Sequence, residues 1–191
     1  GMNDTLIALL ALLLGLGCGK AKVDKKTENK VKTIHENTIS LKTKAEKGDA
    51  RAQARLGFLY KKGQGVEKDL KEAAKWYRKA AEQGHADAQN NLGIRYAKGL
   101  GVPAAVAKAA EWYRRAAEQG HSAAQPSLAG LYHGGKGVPK DTSRAYMWWG
   151  LAAIQGETQA VSSIRALARN MDGDNLNEAR RLINEFVPYE N

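Results

Sequence analysis

Residues 48–83 read GDARAQARLGFLYKKGQGVEKDLKEAAKWYRKAAEQ, and two further blocks of 36 residues follow with a similar pattern, at residues 84–119 and 120–155. Glycine opens each block, a GxGV loop lies near its centre, and an alanine-rich stretch with large aromatic residues closes it. A regular period of about 20–50 residues is the signature of stacked structural units. The sequence therefore predicts a repeat protein rather than one catalytic domain.

Each block is predicted to contain two helices joined by the loop. In the first half, Ala52, Leu56, Gly57 and Tyr60 have counterparts in the other blocks, and their spacings of four, one and three residues place them on one helical face. In the second half, alanines flank a pair of aromatic residues; in the first block these are Ala73, Trp76, Tyr77, Ala80 and Ala81. The small residue at Gly57 is expected to let a neighbouring helix approach, while the rings supply buried area.

The glycine loops have the composition of turns between helices. Their paired glycines can take positive φ values that end the first helix, and Asp69 and Asp141 favour the start of the second, where free amides need acceptors. The second block has Ala105 at this position, so Pro103 is expected to begin its helix. A phosphate-binding loop needs a preceding strand and a different glycine spacing, which favours the turn.

The three blocks resemble Sel1-like repeats, relatives of the tetratricopeptide repeat with the pattern AxAQxxLGxxYxxGxGVxxDxxxAxxWYxxAAxQG. The match covers residues 48–155 almost position by position. The resemblance implies an all-α fold, a right-handed superhelical solenoid of α/α helix pairs. It assigns repeat 1 to residues 48–83, repeat 2 to residues 84–119 and repeat 3 to residues 120–155.

The array is predicted to continue beyond these blocks, because a solenoid must cover its exposed ends. Residues 28–47 are interpreted as an N-terminal half-repeat cap, since ISLKTKAEKG aligns with KWYRKAAEQG. Residues 156–191 are interpreted as a degenerate repeat and C-terminal cap. Within that cap, Asn175 and Glu178 are predicted to form a capping box for a last helix.

The N-terminal segment has features of an export signal. Residues 6–16 form an apolar run that is too short to span a bilayer, and LLGLGC resembles a bacterial lipobox with Cys18, the only cysteine, at the acylated position. Gly15 replaces the usual leucine, and no basic residue precedes the run.

We expect residues 1–18 to be a signal peptide or lipoprotein signal and residues 19–27 a basic linker. The protein would then be periplasmic, membrane-anchored through a lipid on Cys18, or secreted. The alternative is a hydrophobic helix that stays on the protein.

The formal net charge of +10 raises the question of a nucleic acid or an anionic membrane as partner. Nine lysines and four acidic residues lie between residues 19 and 47, so half of the excess precedes the repeats. Such a charge run is typical of a solvated tether and argues against a nucleic-acid groove. Beside a lipid on Cys18, the same lysines would favour contact with anionic lipid.

No catalytic or metal-binding constellation stands out in the sequence. His85 and His121 share one position after the repeat glycine, and none of the four histidines has cysteine partners or closely spaced acidic ones. No serine lies in a nucleophile motif, and the SxxK and KTG motifs are absent. We therefore expect no metal, no cofactor and no enzymatic activity.

The resemblance raises one alternative function. Some secreted Sel1-like proteins are cysteine-rich and are linked to binding or hydrolysing β-lactams, which implies an envelope protein that acts on cell-wall fragments or β-lactams. This chain lacks those cysteines, so the resemblance extends to the scaffold and this activity is the second hypothesis.

The leading hypothesis is a protein–protein interaction scaffold whose concave solenoid face binds a protein or peptide. First-helix positions beside the packing face vary between repeats, as a specialised surface on a constant scaffold should. They are Arg51, Arg55, Phe58, Lys62, Asp87, Asn91, Ile94, Lys98 and Ser127. The basic residues would bind a carboxylate and Asn91 the backbone of an extended peptide. The alternative is a merely solvated face.

Repeat 3 contains two consecutive tryptophans, Trp148 and Trp149, and Trp149 replaces the tyrosine found at this position in the other repeats. Core packing is the favoured explanation for both rings. A hot-spot contact with a partner is the sharper alternative.

Overall fold

The computed structural model describes residues 25–186, which form nine helices and no strand. The helices are α1 (Lys25–Glu46), α2 (Ala50–Lys62), α3 (Leu70–Glu82), α4 (Ala86–Lys98), α5 (Val106–Glu118), α6 (Ala124–Gly134), α7 (Thr142–Ile154), α8 (Thr158–Ala168) and α9 (Gly173–Phe186). They divide into two compact units, residues 25–88 with 100–102 and residues 89–99 with 103–186. Cys18 and the predicted signal segment lie outside the described residues. None of the described helices combines the length and apolarity needed to cross a membrane.

Aspartates cap the starts of three repeat helices, as their carboxylates can accept hydrogen bonds from the free amides of the first turn. Asp49 accepts from the Ala52 amide at 2.7 Å, at the start of α2. The two predicted caps are confirmed: Asp69 accepts from two amides of α3, and Asp141 accepts from one amide of α7. Ala105 stands before α5 with no side-chain hydrogen bond, so this helix lacks that stabilisation. The expectation that Pro103 begins α5 is wrong, because the helix begins at Val106 and Pro103 belongs to the loop before it.

The GxGV loops have the predicted positive φ values. In repeat 3, Gly135 ends α6 with φ +61°, and Gly137 follows with φ +71°. The Tyr132 carbonyl then accepts a hydrogen bond from the Asp141 amide at 3.0 Å, which joins the two ends of the loop. Equivalent bonds to the carbonyls of Tyr60 and Tyr96 close the other two loops. The glycines and the loop-closing bond therefore set the turn between the two helices of each repeat.

The core of the first unit forms where α1 covers the first repeat. Its central cluster consists of Ala45, Ala52, Leu56 and Trp76, with Leu41 and Tyr60 packed against it. Val31 has no exposed surface, so burial extends along α1 towards its N-terminal end. Apolar burial of this kind is the main force that holds α1 against the repeat.

Small residues in the first helix of a repeat admit the aromatic ring of the second, as predicted. A Cβ atom added to Gly57 would lie 3.1 Å from the Tyr77 ring, and one added to Gly93 would lie 2.7 Å from the Tyr113 ring. Such contacts require glycine, or a shift of the ring. Burial of Tyr113 also raises the pKa of its hydroxyl, because burial disfavours the phenolate.

A repeated glutamine network links the ends of the helices. The Nε2 atoms of Gln83, Gln119 and Gln155 donate to the Oε1 atoms of Gln53, Gln89 and Gln125 at 2.7, 2.7 and 2.8 Å. In the first unit, Gln53 also donates to the Ala45 carbonyl at 3.0 Å, which ties repeat 1 to α1. Gln53, Gln89 and Gln125 are buried, so these bonds satisfy their side-chain oxygens, as buried polar groups require.

The C-terminal cap consists of α8 and α9, and it corrects the predicted capping box. Asp172, not Asn175, caps α9: its Oδ1 accepts from the Asn175 amide at 2.7 Å. Glu178 instead accepts hydrogen bonds from Arg181, which hold the pKa of Glu178 below its usual value. The reason for the difference is that α9 begins at Gly173, so Asn175 already lies within its first turn. The cap is joined to α7 by Ser143, which donates to the Asn175 carbonyl at 3.0 Å.

Candidate functional site

A groove of about 520 Å³ lies within the first unit, between α1 and α2. We call it the α1–α2 groove. Residues of α1, of α2 and of the loop after α2 line it: Lys30, Ile34, Asn37, Thr38, Leu41, Arg55, Leu59 and Gln64. Its volume falls in the range typical of ligand sites, about 300–1,000 Å³.

The floor of the groove is apolar. Ile34 and Leu41 lie seven residues apart on α1 and are half-buried, and Leu59 of α2 is 9% exposed. Residues at that spacing lie on the same face of a helix, so α1 presents both side chains towards the groove. The floor therefore offers aliphatic surface that a partner's side chains can cover.

Two cations border this floor, and neither has a carboxylate partner among the side chains that the structure describes. Lys30 of α1 and Arg55 of α2 line the groove, and none of its described lining residues is acidic. Neither side chain forms an ion pair or a hydrogen bond with the side chains that the structure describes, which are those of residues 25–27 and 29–186. The Arg55 guanidinium lies 5.3 Å from the centre of the Phe58 ring, a cation–π contact that orients it without neutralising its charge.

The surroundings of the groove are basic as well. Residues 25–88 contain 16 lysine and arginine residues against 9 aspartate and glutamate residues, a formal excess of +7. This is most of the +10 carried by the whole chain. Such an excess attracts an acidic partner segment before contact and raises its association rate.

The predicted binding residues of α2 differ in their surroundings. Arg55 and Phe58 are brought together by their cation–π contact, and the Lys61 ammonium also lies 5.0 Å from the Phe58 ring. Arg51 and Lys62 are exposed on the same helix but do not line the groove. The first unit thus places one of the four predicted residues, Arg55, in the groove wall.

The other predicted residues lie on α4 and α6. Asp87 belongs to the first unit and is exposed. Asn91, Ile94 and Lys98 belong to the second unit, where the first two are half-buried and Lys98 is exposed. Ser127 donates its hydroxyl to the Ala123 carbonyl at 2.9 Å, so its polar group is satisfied within its own helix.

The two repeat histidines have a structural role. Nδ1 of His85 accepts from the Ala88 amide at 3.4 Å, and Nδ1 of His121 accepts from the Ala124 amide at 3.3 Å. Both therefore satisfy free amides near the starts of helices, which explains why the residue recurs after the glycine. Between residues 25 and 186 no three His, Cys, Asp or Glu side chains are grouped so as to hold a metal ion.

Several groove residues were missed by sequence reasoning, which treated α1 only as a cap. Lys30, Asn37 and Thr38 come from α1, and Gln64 comes from the loop after α2. The seven-residue spacing of Ile34 and Leu41 is the signal that identifies the groove-facing side of α1.

Comparison with known proteins gives the family and the fold. The family model for the Sel1 repeat matches residues 50–85, 86–121 and 122–157, which contain the helix pairs α2/α3, α4/α5 and α6/α7. A search of curated proteins found no match.

This chain is similar to solved structures, two of which are the following. A Sel1 repeat protein from Oxalobacter formigenes has 37% sequence identity and a TM-score of 0.70, over 81% of this chain and 64% of that protein. A protective antigen of uropathogenic Escherichia coli strains that displays an SLR fold has 32% identity and a TM-score of 0.71, over 96% of this chain and 37% of the antigen. This chain therefore spans less than two thirds of either protein.

The predicted fold class, an all-α solenoid of helix pairs, is confirmed by these likenesses and by the helices of residues 25–186. The three repeats cover more than half of the sequence. The chain belongs to the Sel1 repeat family.

Proposed function

We propose that this chain is a non-enzymatic adaptor of the bacterial cell envelope that binds a peptide segment of another protein in the α1–α2 groove. The observation that carries the proposal is an aliphatic floor bordered by Lys30 and Arg55, two cations without carboxylate partners among the described side chains. Apolar side chains of a partner cover such a floor, and its carboxylates compensate the cations. Arg51 and Lys62 extend the basic surface of α2 beside the groove, and the Phe58 ring lies between the cations of Arg55 and Lys61 as an apolar contact surface.

The partner segment that fits this surface is an amphipathic helix with aliphatic and acidic residues. A groove between two helices accepts the apolar face of a third, whose anchors recur at three- and four-residue spacings. Burying two aliphatic side chains contributes roughly 3–6 kcal/mol, from which the loss of rotational and side-chain freedom must be subtracted. We therefore expect weak binding, with a dissociation constant nearer the millimolar than the micromolar range, since 1 mM corresponds to about −4 kcal/mol.

A charge-reversal pair tests this proposal. Titrating the full chain into a fluorescently labelled helical peptide of leucine, glutamate and alanine should raise the fluorescence anisotropy of the peptide. Arg55→Glu should weaken this binding by at least about tenfold, because it places a negative charge in the groove wall against the glutamates of the peptide. The control is Arg51→Glu, which makes the same charge change on the same helix outside the groove. It should weaken binding only about two- to threefold through the general field.

Three outcomes would each contradict a part of the proposal. Equal losses for Arg51→Glu and Arg55→Glu would mean that overall charge, not the groove, attracts the peptide. Equal binding of a peptide with lysine in place of glutamate would exclude charge complementarity. Turnover of a chromogenic β-lactam by the purified chain would overturn the non-enzymatic part and favour the second hypothesis.

The envelope location is a separate part of the proposal, and it is supported by the LLGLGC sequence. We expect mass spectrometry of the protein from a bacterial membrane fraction to show a mature N-terminus at Cys18 with the added mass of a lipid. A Cys18→Ser variant should lack that mass and keep the preceding segment. An unmodified Cys18 on an unprocessed chain would exclude the lipid anchor and, with it, membrane contact through that anchor.

A further inference from the structure

Repeat 3 departs from the other repeats at one packing position. Tyr77 and Tyr113 are 2% and 6% exposed, whereas Trp149 takes their place in repeat 3 and is only half-buried. Its indole ring lies beside His133, with ring centroids 5.5 Å apart and planes inclined by 54°. Neither of the other repeats has an aromatic ring at the position of His133. The pair is therefore particular to this repeat.

The His133–Trp149 pair borders a groove of about 610 Å³ within the second unit. We call it the Trp149 groove. The loop before α7, the first turn of α7 and the end of α8 complete its walls, with Lys140, Thr142, Ser163, Ala166, Leu167 and Asn170. This site shares no residue with the α1–α2 groove.

Polar groups in this groove are available to a ligand. The side chains of Lys140, Thr142 and Asn170 form no hydrogen bond or ion pair with other residues in the described part of the chain. Ser163 donates to the Gln159 carbonyl at 3.2 Å, and its oxygen can still accept. Together they offer donors and acceptors around a partly exposed indole ring, an arrangement typical of recognition sites.

The charge of the groove selects the sign of its ligand. Lys140 supplies a positive charge, and none of the described residues that line the groove is acidic. The neighbouring Asp141 is engaged elsewhere, because it accepts from the Arg144 amide and lies 3.5 Å from the Arg144 guanidinium. A carboxylate of the ligand would therefore meet an uncompensated ammonium group.

We infer that the Trp149 groove binds an extended peptide segment in which an acidic residue adjoins an aromatic one. The carboxylate pairs with Lys140, and the aromatic ring packs on Trp149 and Leu167. The amide of Asn170 bonds to the peptide backbone with both a donor and an acceptor. The inference rests on the proposed adaptor role and adds a second binding surface, so that one chain can hold two partner segments.

Four end-blocked peptides test the chemistry of this site with the full chain. They have the sequences Ser-Asp-Phe-Ser, Ser-Lys-Phe-Ser, Ser-Asp-Ser-Ser and Ser-Lys-Ser-Ser, and the readout is the NMR signal of the Trp149 indole N–H, assigned by its loss in Trp149→Tyr. We expect the Asp-Phe peptide to shift this signal at concentrations where the other three do not. An equal shift by the Lys-Phe peptide would overturn the inference, as would no shift by the Asp-Phe peptide at millimolar concentration.

Matched variants locate the binding, measured by calorimetric titration of the Asp-Phe peptide. Lys140→Glu should weaken it by at least about tenfold, whereas Lys136→Glu, in the same loop but outside the groove lining, should change it less than about threefold. Arg55→Glu should leave the affinity for the Asp-Phe peptide unchanged. The test of the Trp149 groove can therefore fail independently of the test of the α1–α2 groove. Equal losses for Lys136→Glu and Lys140→Glu would overturn the inference.

Discussion

Replacing Gly137 with alanine should destabilise the second unit by about 2–5 kcal/mol, the sum of backbone strain and overpacking. Gly137 has φ +71°, a conformation that costs an alanine about 1–2 kcal/mol. An added Cβ would also lie 2.6 Å from the Val106 carbonyl carbon and 2.7 Å from the Ala107 nitrogen. Both atoms belong to the backbone at the start of α5 and cannot rotate away as a side chain can. We expect the midpoint of urea denaturation, measured by circular dichroism, to fall.

Two glycines of the same unit serve as controls for this substitution. Gly120 has φ +80° but no atom within 4 Å of an added Cβ, so Gly120→Ala should cost only the strain, about 1–2 kcal/mol. Gly130 lies within α6 with open space around it, and Gly130→Ala should stabilise by about 0.5–1 kcal/mol through helix propensity. If Gly137→Ala lowered the free energy of unfolding no more than Gly120→Ala does, the close approach of α5 to Gly137 would add nothing to the cost of the substitution.

The features that the sequence predicted correctly are local to one repeat. The caps at Asp69 and Asp141 depend on a carboxylate two or three residues from a free amide, and the loop glycines depend on their own φ values. The approach of a ring to Gly93 joins two helices of the same repeat. These short-range interactions could be predicted because the residues that form them recur at equivalent positions in three repeats, so that an interpretation made for one repeat can be checked against the other two.

The α1–α2 groove was not predictable in the same way. Lys30 and Arg55 are far apart in sequence, and they line one groove only because Ala45 and Val31 fix the register of α1 against repeat 1. α1 is present once, so no second copy shows which of its positions face inwards. The predicted stripe on α2 captured Arg55 from the repeat pattern and missed the residues that α1 supplies.

Repeat 3 shows a second limit of sequence reasoning. Trp148 and Trp149 were both expected in the core, and the structure confirms this for Trp148, which is 3% exposed. Trp149 is half-buried and lines a groove. Residue type alone does not distinguish them, since the difference arises from the helices that cover each ring.

Trp148→Ala is expected to cost about 3–5 kcal/mol, the usual loss for a large aromatic side chain removed from a core. The Trp148 ring packs edge-on against Phe186 of α9, with ring centroids 5.0 Å apart, so its loss also removes support for the C-terminal cap. We expect a lower thermal midpoint in calorimetry and early loss of α9, seen as faster amide exchange in residues 173–186. Exchange in the cap no faster than in the unmodified chain would show that the ring does not hold α9.

Trp112 provides the matched control, because it occupies the position of Trp148 in repeat 2 but is only half-buried. The Arg115 guanidinium lies 4.6 Å from its ring. Trp112→Ala should cost less, about 1–2 kcal/mol, since less of its surface is removed from water on folding. Phe186→Ala should cost about 0.5–1.5 kcal/mol from the aromatic pair, because Phe186 itself is 43% exposed. The expected order of the losses in stability, Trp148 first, then Trp112, then Phe186, is the order in which the three rings are buried. If Trp148→Ala instead weakened peptide binding without lowering the thermal midpoint, the ring would be a partner contact and its assignment to the core would be wrong.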